Sequence, residues 1–74
     1  MPQIRYTYND ALTFDKLDVR VREIIQKDTG QEDWPVAIRD PPLGNPPPVS
    51  EDAIRKLEAI EGVIIDRVEG EGDN

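Results

Sequence analysis

Residues 40–48 read Asp40-Pro41-Pro42-Leu43-Gly44-Asn45-Pro46-Pro47-Pro48, and their reading decides how the rest of the chain is arranged. Five of the seven prolines of the chain lie here. Proline lacks a backbone N–H and holds φ near one value, so neither a helix nor a central strand is expected to run through the block. The chain divides into two units around it, and each carries helical patterning. A recognition segment for aromatic grooves is the alternative reading of the block. No two of its prolines are three residues apart, and Gly44-Asn45 interrupts it, so a structural connector is the better reading.

N-terminal to the block, Gln3 to Tyr8 alternates. Ile4, Tyr6 and Tyr8 fall on one face and Gln3, Arg5 and Thr7 on the other, which predicts a half-buried strand. Asn9-Asp10-Ala11 reads as a turn, and Thr13 as the N-cap of a helix of about four turns with Asp15 in its first turn. Phe14, Leu17, Val21, Ile24 and Ile25 form one apolar stripe on that helix. Asp18 with Arg22, and Glu23 with Lys27, are acid-first pairs four residues apart. Gly30 is the expected left-handed stop. Val19 lies off the stripe, at a rim or toward a partner. Trp34, Val36 and Ile38 alternate again and predict a short second strand, at an edge because Pro35 lies inside it.

C-terminal to the block, Ser50 reads as an N-cap, with Glu51 and Asp52 in the first turn. Val49 and Ile54 have the spacing of a hydrophobic staple. Ala53, Ile54, Leu57 and Ile60 make the stripe, Glu51/Arg55 and Asp52/Lys56 pair across a turn, and Gly62 is expected to end the helix. Val63 to Glu69 reads as a third strand with apolar residues on both faces, hence more central than the first. Residues 70–74 read as a disordered acidic tail. The expected fold is one small α+β domain over residues 1–69. It is a two-layer sandwich in the order β-α-β-(Pro-rich loop)-α-β, with two helices on one face of a three-stranded sheet. If the first two strands pair directly they run parallel, joined by a right-handed crossover.

The chain has 74 residues, 36% hydrophobic and 34% charged, which allows one domain with a lean core. It contains neither cysteine nor histidine. Disulfides, thiol chemistry, thiolate or imidazole metal sites and histidine proton transfer are thereby excluded. No apolar run is long enough for a bilayer span and no secretory leader is recognisable, so a cytoplasmic protein without membrane contact is the expectation. The alternating carboxylates of Glu69, Glu71 and Asp73 lack the ligand spacing of a calcium loop, and no metal or cofactor is expected.

Sixteen acids against nine bases give a net charge of −7. From Val49 onward there are eight acids and three bases. Phosphate repulsion argues against direct nucleic-acid binding, whereas a basic protein partner is favoured. The expected function is therefore a non-enzymatic binding module, an accessory, assembly or inhibitory factor acting on a basic protein, in its sharpest form by mimicry of nucleic acid. Candidate contact residues are the amphipathic aromatics Tyr6, Tyr8 and Trp34, and the acids Glu58, Glu61 and Glu69. A self-assembling structural protein is a further possibility, through homo-oligomers formed at strand edges.

One enzymatic reading rests on Pro2. Removal of Met1 would leave a secondary amine at the start of a strand, able to act as base or nucleophile in a dry pocket. Pro2, the strand through Ile4, the helix from Phe14 and the strand from Trp34 resemble the opening of the small 4-oxalocrotonate tautomerase family. The resemblance covers about half the chain and implies Pro2 as catalytic base in an oligomer. Asn9-Asp10-Ala11 stands where that family carries Glu-Gly-Arg, and the capped second helix stands where it has a hairpin.

Overall fold

The computed structural model describes residues 2–68. The element order is β1 (Gln3–Tyr8), α1 (Ala11–Thr29), β2 (Val36–Ala37), β3 (Leu43–Gly44), α2 (Glu51–Glu58) and β4 (Val63–Val68). The α+β class and the two helices on a small sheet are as expected, but the sheet has four strands, not three. Its order is β2-β3-β1-β4 and every pairing is antiparallel.

The extra strand comes from the proline block itself. Leu43 and Gly44 sit between the two proline runs and keep their N–H groups, and they pair with β1 at Tyr6↔Gly44 and with β2 at Val36↔Gly44 and Ala37↔Leu43. The block is thus an inner strand of the sheet rather than a bare connector. Its prolines still offer carbonyls, and β1 uses them. Gln3 Nε2 donates to Pro46 O at 2.7 Å and Thr7 Oγ1 to Pro42 O at 2.8 Å. Val49 N donates to Pro2 O at 3.0 Å, and Asn45 N to Pro35 O at 2.8 Å. The Asp40–Pro41 peptide bond is cis.

With β3 between them, β1 and β2 do not pair, so the direct parallel pairing is replaced by two antiparallel ones. β4 lies at the sheet edge and β1 in the interior, the reverse of the expected ranking. The apolar residues on both faces of β4 have different fates: Val63 and Ile65 pack against the core, while Ile64 is 45% exposed on the uncovered face. β2 stops after Ala37, and Ile38 stands in solvent at 99% exposure, because the Trp34-Val36-Ile38 alternation outruns the pairing available to it.

Helix α1 starts two residues before Thr13. Asp10 is its N-cap, and one carboxylate oxygen accepts from both the N–H and the hydroxyl of Thr13 at 2.8 Å. A carboxylate at this position satisfies donors of the first turn, so Ala11 and Leu12 join the helix. Gly30 closes it in the left-handed conformation at φ 78°. Ser50 caps α2 as expected, and Val49 and Ile54 are both fully buried. Gly62 does not end this helix. α2 stops at Glu58, and Gly62, at φ 97°, turns the chain into β4. A Cβ there would also meet the Thr13 methyl at 2.7 Å.

The core lies between the helices and one face of the sheet. Ile4, Tyr6 and Tyr8 of β1 meet Val21 and Ile25 of α1 and Ala53, Ile54 and Leu57 of α2, with Val49 beneath them. Phe14, Leu17, Ile24 and Ile60 close its margin. The expected acid–base pairs re-sort in three dimensions. Asp18 accepts from Tyr8, Arg22 turns to Asp33, Arg55 to Asp52, and Glu51 forms a bidentate pair with Arg67 of β4. Asp18, Arg22 and Glu51 take partners outside their own helix, while Arg55 takes the residue three before it within α2. No helix among the described residues is long and apolar enough to cross a membrane.

Candidate functional site

Tyr6 and Tyr8 point to the helix side of β1, and both rings are buried. They are therefore floor rather than surface for any partner. Tyr8 meets Phe14 edge-on at 5.5 Å between centroids, and Tyr6 meets Tyr8 in the same manner at 6.0 Å. Gly44 of β3 lies under the Tyr6 ring, so close that any Cβ there would overlap it. Only glycine allows the ring and strand to approach this far.

These rings wall a cleft of about 200 Å³ between α1 and the β3–β2 part of the sheet. Phe14, Asp18 and Arg22 of α1, four residues apart, form one side, and Val36, Pro42 and Gly44 form the other. Trp34 joins from the loop before β2. Its Nε1–H donates to the Tyr6 hydroxyl at 2.9 Å, and the Arg22 guanidinium lies 5.1 Å from the centre of its ring. Three of the aromatic and acidic residues singled out from sequence, Tyr6, Tyr8 and Trp34, thus belong to one cluster.

The polar groups of the cluster are engaged with each other. The Tyr8 hydroxyl donates to Asp18 Oδ1 at 2.9 Å, and Arg22 reaches Asp33 at 3.4 Å and the Glu32 carbonyl at 3.5 Å. Burial pushes the Tyr8 hydroxyl far above the usual tyrosine range, and the adjacent Asp18 carboxylate adds to the effect. Burial also raises Tyr6, partly offset by the hydrogen bond from Trp34. Both phenols stay protonated at any physiological pH. They hold neighbours in place and are unsuited to accept a proton.

The α1 flank of the cleft is acidic. Asp18 stands in the wall, Asp15 follows Phe14 on the helix, and Asp33 pairs with Arg22 at 94% side-chain exposure. Glu58 and Glu61 lie elsewhere, on the last residue of α2 and in the turn to β4, both exposed. Glu69 lies outside the described residues, as does the acidic tail. Pro2 is half-buried with its carbonyl bonded to Val49, and it does not line the cleft. Among the described residues no group of three or more acidic, histidine or cysteine side chains could hold a metal ion.

The sequence places Phe14 in the core stripe and Asp18 with Arg22 in an acid-first pair, and does not single them out as one wall of a cleft. Their four-residue spacing on one helix face was the available signal. Pro42 and Gly44 had no local signal, because their place depends on pairing with β1, nearly forty residues earlier in the chain.

Comparisons with protein-family models, with curated proteins and with solved structures find no match to this chain.

Proposed function

We propose that this chain is a small acidic, non-enzymatic module that acts by binding a basic protein. The observation that carries this reading is the cleft. It is a preformed apolar concavity whose tyrosines, carboxylate and guanidinium are hydrogen-bonded to near neighbours, and whose α1 flank carries Asp15 and Asp18. A reactive site would need a base or nucleophile poised toward open space. A binding site needs shape, apolar area and complementary charge, which steers encounter and suppresses wrong partners.

The tautomerase-like alternative finds no support in the second half of the fold, where a capped helix and an edge strand replace a hairpin. The mimicry version of the binding reading draws on Glu58 and Glu61, which are exposed and make no ion pair among the described residues.

The test is capture of partners by the full chain at low and high salt. Retention of a basic protein at low salt and its release at high salt supports the reading, since exposed charges are screened over about 10 Å at 0.1 M salt. A captured protein that ignores salt, or that carries net negative charge, overturns it. Replacing Glu58, Glu61 and Glu69 by Gln separates the versions: unchanged affinity at low salt removes mimicry through these acids.

A further inference from the structure

The helix layer is shorter than the sheet. α1 packs on β1 and α2 packs on β4, and the β3–β2 wing runs on beyond them to a free edge at β2. The cleft is the angle between that wing and the flank of α1. Resting on the binding function proposed above, we infer that this cleft receives one apolar or aromatic side chain of an extended partner segment, at a residue adjacent to lysine or arginine.

Size points to a single side chain. The cleft holds about 200 Å³. Sites for drug-sized ligands start at roughly 300 Å³. A cavity of about 150 Å³ is enough for one benzene ring. The walls of Tyr6, Tyr8, Phe14, Val36 and Pro42 suit an apolar occupant, and Gly44 lets the Tyr6 ring lie flat against β3 as the floor.

Charge selects the neighbours of that occupant. Asp18 gives one oxygen to Tyr8, and its second oxygen has no hydrogen-bond partner among the described residues. Asp15, three residues earlier, is about 60° round the helix from Asp18 and shares that flank. Asp33 lies at the same flank, against Arg22. Arg22 is the single base in the walls, and it is already offset by Asp33 and held over Trp34. With Arg22 offset by Asp33, the carboxylates of Asp15 and Asp18 leave this flank negative, which favours cationic residues beside the anchor and disfavours acidic ones.

Topology supplies the extended backbone. β2 is the terminal strand, and Val36 is both one of its two residues and part of the cleft wall. A segment laid along this edge can pair with it and present alternate side chains to the helix side, which is the geometry of strand addition.

The protein carries its own reporter. Trp34 is the only tryptophan, and its indole N–H is bonded to the Tyr6 hydroxyl in the cleft floor. The experiment titrates the isotope-labelled full chain with the blocked tripeptides acetyl-Lys-Phe-Lys-amide, acetyl-Glu-Phe-Glu-amide and acetyl-Lys-Ser-Lys-amide. The expected result is a saturable shift of the Trp34 indole resonance and of the amides of Asp18, Val36 and Gly44 with Lys-Phe-Lys. The other two peptides should bind about tenfold more weakly, and Asp15→Asn with Asp18→Asn should weaken Lys-Phe-Lys by a similar factor. Asp18→Asn keeps an acceptor for the Tyr8 hydroxyl, and Asp15 is exposed, so these changes leave the fold in place. Equal response to the lysine and glutamate peptides, or shifts that map away from the cleft, overturns the inference. Val36→Lys, at a half-exposed edge position, separates it from the broader function. If this variant still captures the basic partner in a salt-dependent manner, the binding function stands and the cleft as its contact falls.

Discussion

The carboxylate of Asp28, one residue from the end of α1, accepts from both the N–H (2.8 Å) and the hydroxyl (2.6 Å) of Ser50, the N-cap of α2. Ser50 Oγ in turn accepts from Ala53 N at 3.1 Å. The end of one helix thereby fixes the start of the next, across a gap of 22 residues that includes the whole proline block. Asp28→Ala removes two charge-assisted bonds and frees the cap to wander. Urea unfolding should show a loss of about 1–2 kcal/mol, and Asp28→Asn should recover part of it.

The same bonds set an acid limit to stability. The Ser50 hydroxyl and N–H hold Asp28 below the usual carboxylate range, the Thr13 N–H and hydroxyl do so for Asp10, and the Arg67 guanidinium does so for Glu51. Carboxylates depressed in the folded state contribute stability that is complete above their unfolded values, about 3.9 for Asp and 4.3 for Glu. That contribution is lost as pH falls through the lower folded values. Thermal midpoints should hold down to about pH 4 and fall below it. Asp28→Asn should flatten the acid limb, and an unchanged limb would contradict this assignment.

Tyr6→Phe keeps the ring that covers Gly44 and deletes the oxygen that Trp34 uses. A half-buried indole N–H then loses its acceptor, at a cost of about 1–2 kcal/mol. The Trp34 indole proton resonance should move to the position of a weaker hydrogen bond. A variant with native stability and an unmoved resonance would show that this bond is not made in solution.

Gly44→Ala places a methyl group where the Tyr6 ring now lies. The ring cannot swing away freely, because Trp34 holds its hydroxyl. Overpacking should cost about 1–3 kcal/mol. Circular dichroism with thermal melting measures it, and the double variant with Tyr6→Ala should show less than the sum of the two single costs.

Ile54→Ala opens a cavity at a fully buried position of α2. The expected loss is about 3 kcal/mol. A domain of this length holds only a few kcal/mol in total, so the variant should be partly unfolded at room temperature. Far-ultraviolet circular dichroism at increasing urea would show a transition shifted to near zero denaturant.

Much of the architecture is legible in local chemistry. The alternation of Ile4, Tyr6 and Tyr8 predicts the buried face of β1, and the stripe from Phe14 to Ile25 predicts the inner face of α1. Ser50, Val49 and Ile54 predict the start of α2, because caps and staples are made by residues a few positions apart. The errors cluster where two local signals compete. Thr13 and Asp10 are both good N-caps, and the carboxylate that reaches two donors wins. Gly62 looks like a helix stop, yet its positive φ serves the turn into β4.

The candidate site was legible only in part. Tyr6, Tyr8 and Trp34 were recognisable as amphipathic rings, but nothing local says that they share one cluster. That follows from the pairing of β3 with β1, which brings Gly44 under Tyr6 and Pro42 beside Thr7.

By itself the sequence determined the class, the two amphipathic helices, the main caps and the acidic balance, since each rests on spacings of a turn or less. Tertiary structure alone decided the order of the strands, the role of the proline block and the place of the cleft. Prolines forbid hydrogen bonds by their own nitrogens, and this much is local. Whether the Leu43-Gly44 gap between them becomes a strand depends on a distant partner, β1, whose side chains donate to the proline carbonyls and whose Tyr6 ring needs a glycine beneath it.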